Sequence, residues 1–319
     1  MSSVVEAIPW REAWQAALYG PHGFYRRPEG PAGHFTTSTH GPLGALLAEA
    51  VAALAERESC AHVVDVGCGR GELLTHLASV RPGLALTGVD IVDRPADLPE
   101  TVRWIGSPGG NALPDGLVDL TDTLVLAHEW LDVVPCTVAG VDDDGVLRDL
   151  LVAPDGSESL GAAVSSEDAG WADRWWPDRE PGDRVEVGRQ RDDAWAGLLA
   201  RVTSGTAVAV DYGHTVEDRP PAGTLTAYVE GTLVTPVPDG SCDITAHVAV
   251  DSLRHDAIHT QRDLLRDLGV TGRPPAIDLA HTDPGAYLHA LSRSSVAAAL
   301  LDPMGLGAFR WVIARVRPE

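Results

Sequence analysis

The residues with the clearest chemical potential are Val63-Val64-Asp65-Val66-Gly67-Cys68-Gly69-Arg70-Gly71, a buried apolar run that breaks into alternating glycines. Glycine lacks a Cβ, so a ligand can approach the backbone closely there, and positive φ is open to it. The spacing separates two ligand classes. A dinucleotide fingerprint, G-x-G-x-x-G, needs glycine at position 72, where this chain has Glu72. That carboxylate would also sit beside the helix N-terminus that a pyrophosphate requires. The spacing Gly67, Gly69, Gly71 is the G-x-G-x-G of S-adenosylmethionine-binding enzymes, so Asp65 and these three glycines are candidate cofactor residues.

Asp90 ends the next apolar run, Leu84 to Val89, and there a carboxylate can accept hydrogen bonds from both ribose hydroxyls. Asn111, in the loop after Val102 to Ile105, is a candidate for the adenine amine. Further on, Leu126-Ala127-His128-Glu129-Trp130-Leu131-Asp132 places two acids three residues apart just after another strand-like run. Ligands of open α/β sheets sit beyond the carboxyl ends of the strands, so Glu129 and Asp132 are candidates to meet an acceptor beside the methyl donor. Asp211 is a supporting acid. His128 and His214 are alternative bases, and His128 is also a candidate cofactor contact.

These residues need a scaffold, and the hydrophobic pattern supplies one. Strand-like runs at Ala61 to Val66, Leu84 to Val89, Val102 to Ile105, Thr123 to Ala127 and Thr206 to Val210 alternate with helical stretches at Glu72 to Ser79 and Trp195 to Val202. Such alternation predicts an α/β fold: a Rossmann-like parallel sheet with helices on both faces. Pro9 to Leu18 and Leu43 to Glu56 read as N-terminal helices. The strand Phe309 to Val316 is expected to rejoin the sheet after a C-terminal helical insertion. The implied division is 1–57, an N-terminal helical segment; 58–225, the cofactor-binding core; and 226–319, the acceptor-side region. Pro154 to Pro181 follows neither period and reads as an excursion, with an antiparallel addition as one form it could take; Trp171, Trp175 and Trp176 there are expected in the core.

Composition limits the partners. The 319 residues are 44% hydrophobic and 22% charged, as in a globular protein. The net charge of −22 repels phosphate backbones, which argues against nucleic acid, and would attract a basic partner. All 24 basic residues are Arg. Cys60, Cys68, Cys136 and Cys242 form no C-x-x-C pair and no zinc spacing, so no metal is expected. No signal peptide and no membrane span is evident, and a cytoplasmic protein is expected.

Several motifs together resemble the MidA-like methyltransferases, the family that includes mitochondrial complex I assembly factors with protein-arginine methyltransferase activity. They are Tyr19-Gly20 to Phe24-Tyr25, Phe35-Thr36-Thr37-Ser38, His128-Glu129-Trp130-Leu131-Asp132-Val133-Val134-Pro135, Arg184-Val185-Glu186-Val187, Val210-Asp211-Tyr212-Gly213-His214, Asp243-Ile244-Thr245-Ala246-His247-Val248 and Asp302-Pro303-Met304-Gly305. The chain departs from the pattern at His34 and at Thr39-His40, where the family carries acids, and at Cys68, where it carries proline. The resemblance implies a class I methyltransferase fold, S-adenosylmethionine as cofactor and arginine in a partner protein as acceptor. Small-molecule N- or O-methylation and a non-catalytic, cofactor-bound assembly factor are the alternatives, and a homodimer is compatible with either.

Overall fold

Residues 7–27 and 38–318 are described by a computed structural model. The expectations for positions 33–37, which include His34 and most of the Phe35 to Ser38 motif, lie outside the described residues.

The apolar runs at the centre of the chain form a seven-stranded sheet. Its order is Ala257–Thr260, Arg310–Val316, Gly205–Asp211, Thr123–His128, His62–Val66, Ala85–Asp90, Val102–Gly106. The last five of these run parallel to one another. Arg310–Val316 pairs antiparallel with Gly205–Asp211, from Gly205↔Val316 to Asp211↔Arg310, so the closing strand rejoins the sheet as expected.

Alternate side chains of each strand face opposite layers. Val63, Leu86, Leu124 and Val208 pack under helices Gly41–Arg57, Glu72–Val80 and Pro284–Leu300. Val64, Val125, Ala207 and Val312 face helix Arg189–Leu199 through Ala194, Trp195 and Leu198. Both faces are covered, which is why these strands read as continuous apolar runs rather than alternating ones. The result is a Rossmann-like sheet with helices on both faces.

The excursion contributes one strand, Glu158–Ala163, and one helix to a second, antiparallel sheet. Ile8–Pro9, Leu147–Val152, Thr137–Val141 and Arg184–Val187 pair in that order, and Glu158–Ala163 joins Leu147–Val152. It takes strands from both the 1–57 and the 58–225 segments. Helix Ser166–Trp175 crosses the excursion, and Ser165 caps it by accepting from the Asp168 N–H. Trp171 and Trp176 are buried in the core of this layer. Helix Trp10–Tyr19 packs Trp10, Trp14 and Leu18 with Val133, Val138 and Ile244, so this helix is moored beside the segment that carries Glu129 and Asp132. Among the described residues no helix is long and apolar enough to cross a membrane, and no cluster of His, Cys, Asp and Glu could hold a metal ion.

Candidate active site

Strand order reverses at His62–Val66, which lies between Thr123–His128 and Ala85–Asp90. The crevice beyond the carboxyl ends of these strands is where open α/β sheets bind ligands. A cavity of about 650 Å³ lies there, and Asp65, Gly67, Gly69, Asp90, His128, Glu129 and Asp132 all line it. The strand ends bring together residues that the sequence offered separately.

One lobe is built on the glycine loop. Gly67 has φ +73°, and a Cβ there would stand 3.1 Å from Trp130 Cδ1, so the turn admits only glycine without displacement. Gly71, at φ +80°, starts helix Glu72–Val80 and does not itself line the cavity. Asp90 accepts from the Gly69 N–H at 2.8 Å and from the Val92 N–H at 3.1 Å. These bonds use one carboxylate oxygen each and leave acceptor capacity for hydroxyl groups. Burial pushes the Asp90 carboxyl up to about 6 despite the backbone donors. Asp65 is buried, and its Oδ1 has no hydrogen-bond partner. Burial first, and then the charges of Asp90 and Glu72, raise its pKa well above the usual range. An orphaned carboxylate oxygen in a glycine cradle fits a ligand that brings a cationic donor. Asn111 is exposed and does not line the cavity; at that edge Ser107, Gly109 and Gly110 line it instead.

The other lobe is acidic. Glu129 follows the strand Thr123–His128 with φ +52°, a left-handed conformation that is uncommon for a side chain of this kind. Its N–H donates to the Val210 carbonyl at 2.9 Å, which ties the kink to the neighbouring strand. Burial, then the charges of Asp132 and Asp243, push its carboxyl up to about 8. Asp132 Oδ2 accepts from the Thr245 hydroxyl at 2.9 Å, while Oδ1 is buried without a partner. Asp211 does not line the cavity; it is buried, and both its oxygens lack a conventional donor. Burial first, and then the charge of Asp132, raise Asp211 well above the usual carboxylate range.

Cavity residues missed as candidates include Asp243 and its partner Tyr25. The Tyr25 hydroxyl donates to Asp243 Oδ1 at 2.7 Å, and burial pushes the Asp243 carboxyl up to about 7. Only the likeness of their surrounding motifs marked them, because their meeting is tertiary. His214 lies outside the cavity lining. It packs edge-on to Trp176 at 5.1 Å, and Arg219 approaches its Nδ1 to 2.6 Å. Burial and Arg219 lower it to about 3. His128 is buried in the strand, and burial lowers it to about 4, which makes it a weaker proton acceptor than Glu129.

Fold and site together define an S-adenosylmethionine-dependent methyltransferase. The sequence matches the family described as "Putative S-adenosyl-L-methionine-dependent methyltransferase" over residues 43–266, well over half of the chain, and the protein belongs to that family. A crystal structure of a protein from Burkholderia thailandensis aligns with TM-score 0.74 at 22% identity, covering 98% of this chain and 87% of that one. A second Burkholderia thailandensis structure, bound to S-adenosyl-homocysteine, aligns with TM-score 0.74 at 22% identity over 96% of this chain and 87% of that one. No curated protein matches the sequence. The cofactor is S-adenosylmethionine, which supplies an electrophilic methyl group when bound. Asp65, Gly67, Gly69 and Asp90 are the residues whose unused acceptors and open backbone fit it.

Proposed function

We propose that the protein methylates a guanidinium nitrogen of arginine in a partner protein. The observation that carries this reading is the acidic lobe. Glu129, Asp132 and Asp243 line one cavity with Asp211 buried behind them, and among the described residues none has an arginine ion-pair partner. Arg191, whose charge bears on Asp132 and Asp211, is committed to backbone carbonyls of Asp132, Val134 and His247. Buried carboxylates without a counter-ion are costly, and a cation entering the lobe removes that cost.

Arginine poses a specific difficulty. Deprotonating it fully near pH 7 costs on the order of 7 kcal/mol. Carboxylates avoid that cost by orienting the planar group through paired hydrogen bonds and by taking the proton as the new bond forms. Glu129, with a carboxyl pushed up to about 8, is matched to accept that proton near neutral pH. Asp132, fixed by Thr245, orients the guanidinium.

The test is transfer from radiolabelled S-adenosylmethionine into a lysate of the source cell, followed by acid hydrolysis. Label released as methylarginine from a protein band supports the reading. Label confined to small molecules moves the acceptor to a metabolite, and cofactor binding without any transfer points to an assembly role.

A further inference from the structure

Glu129 does not stand alone in its lobe. His128 Nδ1 lies 3.4 Å from Glu129 Oε1, and His128 Nε2 lies 2.9 Å from Ser38 Oγ. His128 and Ser38 are buried, and all three residues line the cavity. Glu129 Oε1 is itself buried and makes no hydrogen bond at that separation. Catalytic contacts of this kind are commonly long before substrate binds and shorten in the complex.

A neutral imidazole has one N–H, and its other nitrogen is an acceptor. A serine hydroxyl can serve either nitrogen, so the ring's carboxylate side decides the tautomer. In the ionised form of Glu129 that the reaction needs, a proton on Nε2 would leave the Nδ1 lone pair facing a carboxylate oxygen, which is repulsive. With the proton on Nδ1, the ring donates to Glu129 and accepts from Ser38. Each polar atom then has a partner.

We propose that Ser38 and His128 are positioning residues for Glu129: the Ser38 hydroxyl donates to Nε2, and Nδ1–H anchors Oε1 so that Oε2 is presented to the acceptor. As the nitrogen–methyl bond forms and the methyl–sulfur bond breaks, with its electron pair left on the sulfur of S-adenosylhomocysteine, the departing N–H proton goes to Oε2, and no proton passes through the ring. The left-handed backbone at Glu129 belongs to the same arrangement, because it turns the residue after a buried strand histidine back toward the cavity. The inference rests on Glu129 being the proton acceptor. The groups that also act on Glu129 are Asp132 and Asp243, and its charge in turn bears on Asp211, Tyr212 and Tyr228.

The test reads Glu129 itself. The full chain with S-adenosylhomocysteine is labelled at glutamate carboxyl carbons, Glu129→Gln assigns the resonance, and its titration is followed by NMR. His128→Gln keeps an amide where Nε2 lies but removes the donor at Nδ1; His128→Asn keeps a donor at Nδ1. The titration midpoint should rise by about one unit in His128→Gln and in Ser38→Ala, since a donor to the charged form is lost. It should stay near the wild-type value in His128→Asn and Ser38→Thr. An unchanged midpoint in His128→Gln and Ser38→Ala overturns the proposal, as does an equal rise in all four variants. S-adenosylhomocysteine affinity checks that each variant is folded. No methyl acceptor is used, so a failure of the arginine reading leaves this result standing.

Discussion

The Tyr25 hydroxyl donates to Asp243 Oδ1 at 2.7 Å and so joins the N-terminal segment to the strand Asp243–Thr245. The next link is Thr245, whose hydroxyl holds Asp132. The acidic lobe is therefore assembled from three distant parts of the chain. Tyr25→Phe removes one donor and leaves the ring packing of Tyr19 and Tyr25, whose centroids are 5.4 Å apart. Asp243 should become harder to ionise, and KM for the acceptor should rise roughly 3–10-fold, the scale of one charge-assisted hydrogen bond partly compensated by water. Calorimetry should find S-adenosylhomocysteine affinity unchanged.

The carboxyls of the lobe set a pH dependence with a definite sign. Glu129 moves from 4.5 up to about 8 and Asp243 from 3.8 up to about 7. Acids raised in this way are charged only above the raised values, so kcat/KM should climb between pH 6 and pH 9. An alkaline optimum in the rate profile checks this; a rate already flat at pH 6 contradicts it.

Stability runs the opposite way. Between the ordinary and the raised values the folded chain binds more protons than the unfolded chain, so folding is favoured at the acid end of that window and weakened as pH rises through it. Glu129→Gln removes one such carboxylate. It should melt at least 2–4 °C above wild type at pH 8.5, on a scale of roughly 1 kcal/mol, and nearly level with it at pH 5. Differential scanning calorimetry at both pH values measures the crossover.

On the cofactor side, Gly67→Ala places a Cβ 3.1 Å from Trp130 at φ +73°. The strain should cost about 1–3 kcal/mol. Trp130 or the loop must shift, so S-adenosylhomocysteine binding should weaken at least tenfold by calorimetry. Wild-type affinity in this variant would show that the loop does not approach the ligand closely.

The parallel sheet was legible because its strands are buried on both faces and so appear as nearly continuous apolar runs, such as Leu124 to Ala127 and Val63 to Val66, the latter interrupted only by Asp65. The glycine spacing carried the cofactor with it. The second sheet was not legible. Glu158–Ala163 is mostly exposed and lacks alternation, and its partner Leu147–Val152 also pairs with Ile8–Pro9 from the far end of the chain. A local signal for the helix within it was present in Ser165 and Asp168, a capping pattern three residues apart. On the acceptor side, Glu129 and Asp132 could be found from their place after a strand. Asp243 could not, because its role depends on Tyr25 and Thr245 meeting it in space. Asn111 looked suitable as a loop amide, yet the chain turns it outward and leaves Gly109 and Gly110 at the cavity edge.

The central claim is that Glu129 takes the proton from a guanidinium acceptor, and Glu129→Gln tests it most directly. Methylarginine released from labelled partner protein should be measured beside S-adenosylhomocysteine affinity in the same preparation. The expected result is a fall in transfer of roughly 10²-fold or more, the scale of a lost general base, with cofactor affinity within twofold of wild type. Methylarginine at the wild-type rate in that variant would contradict the account.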